Sequence, residues 1–188
     1  MNHLPKFAAI AVVAIAGVLS LASPSLAALA PGAQAPDFNA PAYLAGEPFT
    51  FRLADALEKG PVVVYFFPAA HTPGCNLEAA LFSQAIDKFK ARQATVIGIT
   101  AGNIEELADF SQETEHCGGK FPVAADEGAK IAGQYDATLE RKPELSSRTS
   151  YVIAPSGEIV HAYSDLNPNR HVAETLAAVE ALEALPAP

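Results

Sequence analysis

The chain predicts an α/β fold built on a central mixed β-sheet with helices on both faces. Three observations predict it. Val62–Phe67 and Ala94–Thr100 are apolar runs without alternation, the pattern of central strands covered on both sides. Segments of helical spacing follow these runs, and strand–helix alternation means parallel pairing with helices on both faces. Further on, Ser150–Ala154 and Glu158–Tyr163 flank Pro155-Ser-Gly157, which reads as a hairpin adding antiparallel strands at one edge.

Taken in order, the elements support this architecture. Ala30–Pro41, rich in Pro and Ala, reads as an extended lead-in. Phe49–Leu53 alternates and predicts a short strand. Asp55–Lys59 predicts a helical turn stopped by Gly60-Pro61. Pro68 ends the first buried strand. Cys75–Arg92 predicts a helix whose apolar stripe is Leu77, Leu81, Ala85 and Phe89. After the second buried strand, Asn103 is placed to cap a helix with Glu105 and Glu106 in its first turn, ending near Cys117-Gly-Gly. Phe121–Ala125 predicts a short strand, Asp126–Tyr135 a short helix, and Ala137–Ser147 a polar loop. Val172, Leu176, Val179 and Leu182 mark a last helix from Arg170, stopped by the Pro-Ala-Pro tail. This order is the thioredoxin-like arrangement. In such sheets ligands bind beyond the carboxyl ends of the strands, where the Phe67–Cys75 loop lies.

Length and composition narrow the function. The 188 residues suit one domain plus an export signal. Half the residues are hydrophobic, so a packed core is expected rather than disorder. A formal charge of −9 with no basic cluster argues against nucleic-acid binding. Lys6 precedes an apolar run from Phe7 to Leu21, followed by Pro24 and Ser25-Leu26-Ala27, a small-x-small pattern cleaved after export. The run is shorter than the roughly 20 residues a spanning helix needs, which favours a cleaved signal over a retained anchor. Residues 1–27 are therefore expected to be a signal peptide and 28–188 a single exported domain, with cleavage after Ala27 or Ala30 equally readable. A periplasmic location is expected, with no membrane attachment after cleavage. Export would place both cysteines where disulfides form and persist.

The chemistry concentrates before Cys75. Thr72 is a good N-cap and Pro73 suits the first helical position. Gly74 permits close backbone approach. Cys75 then falls in the first turn, where free N–H groups and the helix dipole favour a thiolate. Thr72 would place a hydroxyl within reach of both sulfur and substrate. On these features alone, Cys75 reads equally as a nucleophile or as one end of a structural disulfide to Cys117.

Pro68-x-x-x-Thr72-x-x-Cys75 resembles the signature of the peroxiredoxins, the alkyl hydroperoxide reductase/thiol-specific antioxidant family. Val62-Val-Val-Tyr-Phe-Phe-Pro68 and Pro31-Gly-x-x-Ala-Pro-Asp-Phe38 are similar to its bacterioferritin-comigratory, or Q-type, branch. Phe121-Pro-Val-Ala-Ala-Asp126 and Arg148-Thr-Ser-Tyr-Val-Ile-Ala-Pro-Ser-Gly157 resemble the family's later segments. The resemblance implies a thiol peroxidase acting on hydrogen peroxide and small organic hydroperoxides, with no organic or metal cofactor and an external thiol reductant. It implies that Cys75 is the peroxidatic thiol and that Thr72 orients substrate. Arg148 would stabilise charge at the sulfur and on the leaving oxygen, and Pro68 would shield the site. It also implies a monomer rather than a dimer.

The sequence departs from that branch at two places. A resolving cysteine five residues after the first is common there, but position 80 is alanine. Cys117 is the other cysteine and is expected to resolve the Cys75 sulfenic acid, with Gly118 and Gly119 easing local unwinding. His71 reads as a solvated loop residue, and His161 and His171 as solvated or capping residues. His71, Cys75, His116 and Cys117 together would offer two nitrogens and two sulfurs, but without a Cys-x-x-Cys or His-x3-His pair no metal is expected.

Overall fold

The computed structural model describes residues 28–184, so the expected signal segment lies outside the described residues. A seven-stranded sheet forms the centre. Its strands are β1 (Asn39–Leu44), β2 (Glu47–Arg52), β3 (Val62–Phe66), β4 (Thr95–Thr100), β5 (Val123–Ala125), β8 (Thr149–Ile153) and β9 (Ile159–Ser164). They lie in the order β2-β1-β5-β4-β3-β8-β9. β3, β4 and β5 run parallel, and β8 joins β3 in antiparallel pairing with β9 beyond it. The helices are α1 (Leu53–Leu57), α2 (Pro73–Lys90), α3 (Leu107–Gln112), α4 (Lys130–Gln134) and α5 (His171–Glu183).

The unbroken apolar run of β3 has the expected cause. Val62, Val64 and Phe66 enter one core with Leu53 and Ala56 of α1 and Ala132 of α4. Val63, Tyr65 and Phe67 enter a second core with Ala79, Phe82, Ile86 and Phe89 of α2, Phe110 of α3 and Val179 of α5. Successive strand side chains point to opposite faces, so a strand buried on both must be apolar throughout. This sandwich is the thioredoxin-like fold. Tyr65 stacks on Phe82 at 4.4 Å between centroids, tying α2 to the sheet.

Several expectations are corrected. The lead-in ends in a strand: β1 takes in Asn39–Pro41 and runs on to Leu44, pairing with β5 and with the edge strand β2. Its composition hid it, because Pro41 and the alanines score poorly as strand formers, yet Ala40 and Ala42 are buried as small inward residues. The Asn103 helix is a 3-10 turn (Ile104–Glu106) followed by α3, which stops at Gln112, so Cys117 lies in turns beyond the helix. The 137–147 stretch is a small hairpin of β6 (Thr138–Leu139) and β7 (Lys142–Ser146) rather than a loop. On α2 the inward face is Cys75, Ala79, Phe82, Ile86 and Phe89, while Leu77 is 43% exposed. Among the described residues no helix is long and apolar enough to cross a membrane.

Candidate active site

The loop between β3 and α2 is held by the end of the neighbouring strand. Thr100 Oγ1 donates to the Pro68 carbonyl at 3.1 Å. Asn103 Nδ2 donates to the Ala70 carbonyl at 2.9 Å, so this side chain tethers the loop instead of capping a helix. Thr72 occupies the N-cap position of α2 with extended backbone, but its hydroxyl makes no cap bond and donates to the Ala69 carbonyl at 2.9 Å. Pro73 begins the helix, and the first helical bond runs from Asn76 N–H to the Thr72 carbonyl at 2.8 Å. Cys75 is thus in the first turn, as expected, and is almost wholly enclosed at 1% exposure.

Strand pairing delivers the second component. Thr149 of β8 pairs with Phe66, the last residue of β3, so Arg148 lies beside the start of the loop. Its guanidinium is buried and spent on three partners. Nη2 donates to Cys75 Sγ at 3.4 Å and Nε to the Leu166 carbonyl at 2.9 Å, while Nη1 is ion-paired with Glu78. Gly74 makes this approach possible, because a Cβ there would lie 3.0 Å from Nη2. The spacing-based reading assigned Gly74 to a ligand's approach; the close neighbour in the structure is the arginine.

Glu78 is the residue that the sequence reading missed. It sits on the buried face of α2 one turn after Cys75, with 0% exposure. Burial pushes its carboxyl above the usual range and Arg148 pulls it back. A charge inside an apolar stripe is invisible to hydropathy, but the i, i+3 spacing from Cys75 was a usable signal. His171 is also corrected: it is fully buried, not solvated. Its Nε2 lies 2.8 Å from the Asp165 carbonyl, which can only accept, so Nε2 carries the proton and Nδ1 accepts from Ser150 Oγ at 2.8 Å. Desolvation pushes its imidazole below the ordinary value.

Cys117 is not within the same constellation of bonds. It is fully buried in the second core, and both cysteines are free thiols. Burial pushes the Cys117 thiol up, with Glu113 adding to the effect. The turns around it are closed by Gly118 N–H to the Glu113 carbonyl at 2.9 Å and Gly119 N–H to the Ser111 carbonyl at 2.8 Å. His71 is a partly exposed loop residue, as expected, but its ring is held between two acids: Nδ1 is 2.6 Å from Glu106 and Nε2 is 2.9 Å from Glu113. A cleft of about 300 Å³ walled by Phe49, Arg52, Asp55 and Lys59 includes Thr95, the first residue of β4, and so lies at the opposite sheet end from Cys75.

A thioredoxin-like sheet that presents a helix-start thiol beneath a buried guanidinium defines a thiol-based redox protein. The comparisons give the family. The AhpC/TSA family model matches residues 31–162, and the chain belongs to that family. Proteins it resembles are named peroxiredoxins, several of them of the Q type. It is 32% identical over 123 residues to the chloroplastic peroxiredoxin Q of Oryza sativa subsp. japonica, covering 65% of this chain and 55% of that one. The chain thus spans little more than half the length of the rice protein. The chloroplastic 2-cysteine peroxiredoxin of Chattonella marina var. antiqua is 30% identical over 157 residues, covering 81% of this chain and 80% of that one. Among solved structures, the peroxidoxin BcpB of Mycobacterium tuberculosis superposes with a TM-score of 0.71 at 27% identity, covering 81% of this chain and 97% of that one.

Proposed function

We propose that this chain is a thiol peroxidase reducing hydrogen peroxide and small organic hydroperoxides. The observation that carries the reading is the 3.4 Å contact from Arg148 Nη2 to Cys75 Sγ at the start of α2. The Cys75 thiolate attacks one peroxide oxygen and the O–O bond breaks. The departing hydroxide or alkoxide takes a proton, leaving a sulfenic acid on sulfur. Arg148 stabilises negative charge first on the sulfur and then on the departing oxygen, and its bonds to Glu78 and Leu166 hold it there before reaction. Thr72 orients the peroxide and Pro68 limits water.

Cys117 then attacks the sulfenic sulfur, forming a disulfide and releasing water, and an external dithiol restores both thiols. Both sulfurs are buried, so the two segments must open locally before they meet. The turns at 114–119 favour this, since they carry fewer repeating bonds than a helix. The apolar run Phe7–Leu21 and Ser25-Leu26-Ala27 support export to the periplasm as one domain, 28–188. The Q-type resemblance supports a monomer and a thioredoxin-like, glutaredoxin-like or small-thiol donor.

The test is peroxide consumption with dithiothreitol by the wild type, Cys75→Ser and Cys117→Ser. Loss of turnover in Cys75→Ser is expected. Cys117→Ser should retain turnover with dithiothreitol, lack the intramolecular crosslink and overoxidise at high peroxide. Turnover by Cys75→Ser at the wild-type rate sinks the reading.

A further inference from the structure

Among the described residues, one group of unassigned ligating side chains gathers at the Cys75 loop. His71, Glu113 and His116 each present one ligand atom, and these atoms lie within 4.8 Å of one another. Glu113 Oε2 sits 2.9 Å from His71 Nε2 and 3.2 Å from His116 Nε2, between two rings whose centroids are 5.4 Å apart. Tetrahedral zinc with bonds of about 2.0–2.1 Å needs ligand atoms about 3.3 Å apart; the two contacts to Glu113 approach this, and the two imidazoles, within 4.8 Å, close on the ion by side-chain rotation.

The surroundings are those of a ligand set. His71 Nδ1 is 2.6 Å from Glu106, which keeps a proton on Nδ1, while Nε2 faces the Glu113 carboxylate at 2.9 Å and gives up its proton to ligate, as in the carboxylate–histidine–metal arrangement. His71 holds a positive φ of 58°, a conformation unusual for a side-chain-bearing residue. The His116 ring packs on Phe110 at 4.9 Å, and its Nδ1 is buried without a hydrogen-bond partner. A buried orphan nitrogen is a cost, accepted here while Nε2 faces the shared carboxylate. Glu113 is 40% and His71 29% exposed, which leaves room for a water in the fourth position.

We propose that His71, Glu113 and His116 bind one zinc-class divalent cation, with Glu106 orienting His71. Two imidazoles and a carboxylate suit zinc, cobalt and copper rather than magnesium or calcium. The cysteines are not ligands, and the set differs from the His71, Cys75, His116 and Cys117 group for which no metal was expected from sequence. The ion fastens the Cys75 loop to the stretch that carries Cys117, and binding releases any proton on His71 Nε2. If the peroxidase reading holds, occupancy slows the opening that resolution requires.

The test is titration of the full chain carrying Cys75→Ser and Cys117→Ser with zinc chloride, followed by calorimetry. It involves no peroxide, so its failure is separate from failure of the peroxidase reading. One equivalent should bind. His71→Ala and His116→Ala should each weaken binding more than a hundredfold, and Glu106→Gln about 10- to 100-fold. Glu113→Gln, which keeps the side-chain shape, should behave as the alanine variants do. Cobalt should give a visible spectrum of nitrogen and oxygen ligation without sulfur charge transfer. Absence of binding, binding lost with the cysteines, or binding unchanged in folded His71→Ala and His116→Ala overturns the proposal.

Discussion

At the residue scale, one guanidinium holds the site together through several partners at once. Arg148 serves Cys75, Glu78 and the Leu166 carbonyl with three different nitrogens. A lysine carries the same charge but cannot present this planar fork. Arg148→Lys should therefore lower the second-order rate with peroxide by roughly 10²-fold, in line with loss of one preorganised donor. Stopped-flow peroxide reduction reads it, and a rate within a factor of about two of wild type would show that charge alone suffices. His171 makes a prediction of a different kind. Its imidazole is held below its ordinary value by burial, so the unfolded chain binds a proton that the folded chain refuses. Stability from this residue is present above pH about 6.5, its unfolded value, and is lost as pH falls below it. Urea midpoints at pH 7.5 and 5.5 should drop for the wild type and drop less for His171→Asn. His171 was misread from sequence because nothing local marks a histidine at a helix start as buried. The Ser150 and Asp165 contacts that enclose it come from other elements.

At the element scale, α2 is where sequence reasoning both succeeded and slipped. Its start was legible, because Thr72-Pro73 obeys local rules that hold wherever the helix is placed. Its buried face was legible only in part, at Ala85 and Phe89. Leu77, Leu81, Ala85 and Phe89 satisfy a four-residue spacing, yet the helix turns Cys75, Glu78 and Phe82 inward and leaves Leu77 outside. Phe82, Ile86 and Phe89 pack into the core on the same face as Glu78, which hydropathy counts against burial. The same element carries a test in which stability and activity separate. Gly74→Ala should leave the helix as stable or more so, since alanine is the better former by up to about 1 kcal/mol. Its Cβ would lie 3.0 Å from Arg148 Nη2 and displace the guanidinium by tenths of an ångström. The expected result is an unchanged or raised melting temperature with roughly tenfold slower peroxide reduction. A variant as fast as wild type would mean that the close approach of Arg148 is not needed.

At the scale of the whole molecule, the sequence order of strands and helices was enough for the fold, and the site was legible where residues are neighbours in sequence. Pro68, Thr72 and Cys75 share one loop. Arg148 joined them only through resemblance, since nothing in its own surroundings says that β8 will pair with β3. The face of Glu78 could be read from its spacing to Cys75 but its Arg148 partner could not, and Asn103 and the His71–Glu113–His116 cluster likewise take their partners from different segments. The arrangement that unites them is a sheet whose parallel strands end at one place, beneath a helix that begins there. Its central claim is that Cys75 is the sulfur that peroxide oxidises. The most direct measurement is mass-spectrometric mapping of dimedone adducts on Cys117→Ser after one equivalent of hydrogen peroxide. The account predicts rapid, near-complete labelling at Cys75 that Arg148→Lys slows in step with turnover. An unlabelled Cys75, or one that reacts no faster than a free thiol in solution, would contradict it.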